Sequence, residues 1–103
     1  MEITKTIRIN YLLDIYGSLL TAHQQEVMEE YYQDDLSLSE LASNHGVSRN
    51  AIFTLLKKGE ACLERYEANL HLLEKREKIL KVLDSAKQVD LTKKITKIMN
   101  EEE

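Results

Sequence analysis

The side chains with the most specific chemistry in this chain fall between positions 48 and 58: Ser48, Arg49, Asn50, Phe53, Thr54, Lys57 and Lys58. On a helix starting at Arg49, residues 49, 50, 53, 54 and 57 project outward, because positions three and four apart share a face. Their types suit contact with a polymer rather than turnover of a small molecule. Ser48 and Arg49 can hold phosphates, while Asn50, Phe53, Thr54 and Lys57 can face bases or a protein surface. Catalysis lacks its parts. There is no glycine-rich phosphate loop and no cysteine/histidine metal spacing, and His23, His45 and His71 are scattered. No nucleophile, base and orienting group stand together. Cys62 has no histidine at a nucleophile spacing and reads as a small core residue. Asp14, Asp34 and Asp35 read as a solvated face or turn. The expectation is a protein with no cofactor, no metal and no enzymatic activity.

These residues need a scaffold, and Leu36 to Ile52 supplies one. Ser37 and Glu40 have the spacing of a capping box. Leu38, Leu41 and Ala42 then fall on one helical face. Gly46 stands where a short helix must reverse, since a residue without Cβ takes positive φ cheaply. Val47 is expected to plug the crevice between two helices, and Ser48 to cap the second. Ala42 and Ala51 are small enough for a close crossing. Helix, glycine turn and helix make a helix-turn-helix, whose second helix usually enters a major groove.

The flanks read as further helices. Ile9, Leu12, Leu13, Tyr16, Leu19 and Leu20 recur at three- and four-residue spacing, predicting a first helix over 4–20. Thr21 and Gln24 form a second capping pair, followed by Val27, Met28, Tyr31 and Tyr32. From Arg49 a long helix is expected, with Ile52, Leu56, Gly59, Leu63, Tyr66, Leu70 and Leu73 as a coiled-coil-like seam. Gly59 on that seam predicts a close approach by another helix, the first being the natural candidate. The run Glu74-Lys75-Arg76-Glu77-Lys78 interrupts the seam. Ile79, Leu80, Val82, Leu83 and Ala86 resume an apolar side. Asp90 is a candidate cap for a last helix carrying Leu91, Ile95, Ile98 and Met99, and Glu101 to Glu103 form an acidic, frayed tail. The expected organisation is a helix-turn-helix domain over 1–73 and a C-terminal helical extension over 74–103.

Composition agrees with an all-α chain: 103 residues, no proline and three glycines. One cysteine excludes an internal disulfide and suits a cytoplasmic location. No apolar run approaches the roughly 20 residues of a membrane span. The net charge of −4 is unusual for a nucleic-acid binder. Residues 1–36 carry two bases and seven acids, while residues 37–60 carry three and two. The stretch 75–97 is the most basic, with eight bases and three acids, and offers a second surface for RNA phosphates or an acidic partner.

Thr21 to about Arg65 resembles region four of bacterial sigma factors, through Leu20-Thr21, Ser37-Leu38-Ser39-Glu40-Leu41-Ala42 and Gly46-Val47-Ser48-Arg49. Residues 6 to about 73 resemble more closely the small YlxM proteins, usually described as associated with the signal recognition particle. The match runs through Asn10-Tyr11-Leu12, Asp14, Tyr16, Leu19-Leu20-Thr21, Gln24, Tyr31-Tyr32 and Asp34-Asp35. It continues in Ser37-Leu38, Glu40, Val47-Ser48-Arg49, Ala51, Lys58, Glu60, Leu63, Tyr66-Glu67 and Leu70. The resemblance implies an all-α, sigma region-four-like helix-turn-helix bundle with a long recognition helix. It implies a regulatory or binding protein of the signal recognition particle pathway, whose partner is the particle's GTPase or RNA. A DNA-binding transcriptional regulator is the alternative. Phe53-Thr54-Leu55-Leu56 departs from the family's aromatic followed by polar residues. An outward Leu55 could not hydrogen-bond a base edge, which favours a protein contact. A third reading is a homodimer through the seam at Leu63, Leu70 and Leu73.

Overall fold

A computed structural model describes residues 3–85 and 89–100. The chain is all-α: α1 (Ile3–Tyr16), α2 (Ala22–Tyr32), α3 (Leu38–His45), α4 (Arg49–Leu70), α5 (Leu72–Ser85) and α6 (Val89–Met99). No strand occurs among the described residues. Two compact units divide between Leu70 and His71, and each is taken by itself.

In the first unit α1 stops at Tyr16, short of the expected Leu20, and Gly17–Leu19 forms one 3₁₀ turn. The cause lies just downstream. Thr21 must be extended (φ −62°, ψ 154°) for its hydroxyl to accept from the Gln24 N–H, so the chain has to leave the helix first. Leu19, expected in the core, is therefore 52% exposed, whereas Leu20 is buried.

Leu12, Val27, Met28, Leu41 and Leu63, one or more from each of α1 to α4, are fully excluded from solvent and form the core. At Gly59 another helix comes close to the α4 backbone. A Cβ there would lie 2.7 Å from Met28 Sδ and 3.2 Å from Met28 Cγ. The helix that crosses Gly59 is thus α2, not α1 as the seam suggested. α1 packs further along α4, fastened by Lys5 Nζ–Glu60 Oε1 (2.6 Å), Arg8 Nη2–Glu64 Oε1 (2.7 Å) and a Tyr16 hydroxyl donating to Glu67 Oε1 (2.7 Å).

The buried row of α4 is Ile52, Leu56, Gly59, Leu63 and Glu67. It shifts from Tyr66 to Glu67 because a straight helix turns every 3.6 residues, not the 3.5 of a heptad seam. Leu63 belongs to this internal core and cannot sit in a two-fold seam. The helix also ends before Leu73. His71 adopts the left-handed region (φ 56°), which an α-helix cannot continue through. The charged run at 74–78 then causes no break.

In the second unit α5 and α6 pack together. The run at 74–78 lies along α5 with Glu74, Lys75, Glu77 and Lys78 exposed. Glu74 accepts from Lys78 one turn on (3.1 Å), which holds its carboxyl below the usual glutamate range. Val82 (68%) and Ile98 (67%) are exposed. α6 begins at Val89, one residue before the expected cap Asp90. The side chains of Ala86, Asp90 and Leu91, and the tail 101–103, lie outside the described residues.

Candidate nucleic-acid or partner interface

The motif is built by local rules. Ser37 Oγ accepts from the Glu40 N–H (3.1 Å), and Glu40 Oε1 accepts from the Ser37 N–H (3.1 Å), closing the capping box. Beyond His45, Gly46 has φ +65°, and its N–H reaches Ser43 O while the Val47 N–H reaches Ala42 O (3.0 Å). These two bonds are a Schellman ending, which requires a left-handed residue where Gly46 stands. Ser48 Oγ accepts from the Ala51 N–H (3.0 Å), so α4 starts capped. Val47 does not plug the crevice and is 42% exposed. Its backbone closes the turn, which fixes its side chain outward. Leu41, Ala42 and Ile52 are the buried apolar residues of the motif.

All seven residues singled out from the sequence are exposed. Arg49, Asn50, Thr54 and Lys58 make no side-chain hydrogen bond or ion pair among the described residues. Phe53 is 48% exposed, with Lys57 Nζ over its ring at 5.4 Å. Lys57 also stands 4.0 Å from Glu60. Leu55 is half-buried, so the apolar departure in the recognition helix does not point squarely at a ligand.

A cavity of about 380 Å³ opens beside this face, lined by Tyr31, Leu38, Phe53 and Leu56 together with Lys5 and Lys57. Tyr31 and Tyr32 meet edge to face there, with centroids 4.9 Å apart. Burial, followed by the neighbouring Glu60 charge, raises the Tyr32 phenol well above its ordinary range, so it stays protonated. The hydrogen bond to Glu60 raises the Lys5 ammonium. Lys5 and Tyr31 come from α1 and α2. No sequence spacing relates them to Phe53, so only folding reveals that they share a cavity with it.

The face can therefore offer hydrogen-bond donors, one half-exposed aromatic ring with an apolar cavity beside it, and a modest positive charge. Its unit as a whole is acidic: residues 1–70 hold six bases and eleven acids. No helix among the described residues is long and apolar enough to cross a membrane.

Comparison with known proteins agrees with this architecture. Residues 3–102 match the family model UPF0122, described as "Putative helix-turn-helix protein, YlxM / p13 like". A UPF0122 protein of Exiguobacterium sibiricum is 47% identical over 91 residues, covering 88% of this chain and 86% of the relative. One from Shouchella clausii is 53% identical over 73 residues, covering 71% and 67%. YlxM of Bacillus subtilis is 44% identical over 89 residues, covering 86% and 81%. The chain belongs to the UPF0122 family of YlxM/p13-like helix-turn-helix proteins.

Proposed function

We propose that this chain is a non-enzymatic binding protein of the signal recognition particle pathway, contacting the particle's GTPase or RNA through the outward start of α4. The carrying observation is the unengaged row Arg49, Asn50, Thr54 and Lys58 around a half-exposed Phe53. Exposed polar groups that serve no internal contact, set on a rigid capped helix, are what a binding face requires. The pathway itself comes from the resemblance to YlxM proteins. Of the two partners the GTPase fits better. An aromatic beside a largely apolar cavity edged by Lys5, Lys57 and Glu60 suits a protein anchor, whereas phosphate binding draws on a positive balance that residues 1–70 lack.

The test mixes purified full-length chain with the GTPase and the RNA, separately and together, at near-physiological salt. Saturable binding to either, weakened by Arg49→Ala or Phe53→Ala, is expected. Binding to neither refutes the proposal.

DNA regulation is the second reading, supported by the Schellman turn that leaves Arg49 and Asn50 leading the helix as in groove-reading proteins. A mobility-shift survey over genomic fragments tests it, with Arg49→Ala expected to cost roughly 1–3 kcal/mol.

A further inference from the structure

Away from the α4 face, one cluster of metal-ligating side chains forms across two helices. Ligand atoms of Glu26, Glu30 and His45 all lie within 4.8 Å of one another. His45 Nε2 stands 2.8 Å from Glu30 Oε1. The His23 ring meets the His45 ring edge-on, with centroids 5.3 Å apart and planes at 72°. His23, Glu26 and Glu30 follow at three- and four-residue spacing and so share one face of α2. His45 arrives from the last turn of α3. One imidazole, from the end of α3, thus meets a pair of carboxylates on α2.

One of the two carboxylates has no partner among the described residues. Glu26 makes no side-chain hydrogen bond or ion pair among the described residues, and the Glu30 carboxylate pairs only with His45. Two carboxylates one turn apart repel, and no lysine or arginine is paired with either. The carbonyl end of α3 adds further negative potential. A cation is the ligand such a place favours. Mixed imidazole and carboxylate donors suit a borderline divalent ion, zinc above all.

We propose that Glu26, Glu30 and His45 form a Zn²⁺ site, with water completing its coordination. Zinc ligands stand about 2.0–2.2 Å from the ion, so the donors close on it by rotation of side chains, chiefly the exposed Glu26. The ion ties α2 to the end of α3 immediately before the Gly46 turn. It thereby stiffens the support from which α4 projects. The site stands apart from the binding face and does not depend on what that face contacts.

Untagged full-length chain, stripped with chelator, would be titrated with Zn²⁺ by calorimetry and with Co²⁺ by visible absorption. One ion per chain, the intense d–d bands of a four-coordinate cobalt site and a raised melting temperature are expected. Glu26→Gln removes a donor that makes no internal contact, so the variant should fold. It should weaken binding by at least about tenfold, as should His45→Gln, since even a lost supporting hydrogen bond costs 10–100-fold. Absence of saturable binding at millimolar Zn²⁺ overturns the site, as does unchanged affinity in the Glu26→Gln variant.

Discussion

Along α4, Glu60, Glu64, Tyr66 and Glu67 are tied to other parts of the bundle, while the polar side chains from Arg49 to Lys58 are largely not. Glu60 and Glu64 hold Lys5 and Arg8 of α1, and Glu67 is buried beneath the Tyr16 hydroxyl. The Tyr66 hydroxyl donates to Leu19 O at 3.3 Å. At the other end, Arg49, Asn50, Thr54 and Lys58 reach solvent without a partner among the described residues. One helix thus has two differently engaged halves. Its second half is gripped by the bundle, which fixes the direction in which its first half points. A recognition surface gains from this arrangement, because a pre-positioned side chain loses less entropy on binding.

The contrast can be broken most severely from the gripped half. Leu63→Ala should cost about 2–5 kcal/mol, read from urea unfolding, because Leu63 is fully buried and the core cannot close over its absence. Tyr16→Phe comes next. It deprives the buried Glu67 of a hydroxyl donor, and a melting curve should show a loss of about 1–3 kcal/mol. Between the halves stands the turn. Gly46→Ala forces a Cβ into φ +65° with open space around it, so the cost is backbone strain alone, about 1–2 kcal/mol.

The smallest effect sharpens the comparison through pH. The Arg8 guanidinium holds the Glu64 carboxyl below its ordinary value of 4.5. A lowered carboxyl contributes its stability above that ordinary value and loses it as pH falls through the lowered one. Both side chains are nearly half exposed (49% and 44%), so the pair is worth no more than about 1 kcal/mol. Acid titration of Arg8→Ala should remove that part of the pH dependence and leave neutral-pH binding unchanged.

The features legible in the sequence are those that neighbours in the chain decide. Both capping boxes, the left-handed Gly46, the Ser48 cap and the outward row of α4 follow from local spacing. What escaped was decided across the fold. Gly59 signals a close approach but cannot say which helix makes it, and Met28 of α2 answers only when the bundle forms. Glu67 reads as surface until Tyr16 offers it a donor. Leu63 reads as a seam residue until the bundle covers it. His71 breaks α4 without glycine or proline to announce it, whereas the conspicuous charges at 74–78 sit in a continuous helix. The cavity beside Phe53 draws on Lys5 and Tyr31, distant positions that no motif connects.

The division of α4 is tested most directly by one paired measurement on Arg49→Ala/Phe53→Ala: melting temperature and affinity for the GTPase and RNA, against the unaltered chain. Arg49 makes no internal hydrogen bond or ion pair among the described residues and Phe53 is half-exposed with Lys57 over its ring, so stability should fall by no more than about 1.5 kcal/mol. Affinity should fall by tenfold or more. A variant destabilised beyond that, or one that binds as tightly as the unaltered chain, contradicts the assignment of this face to binding.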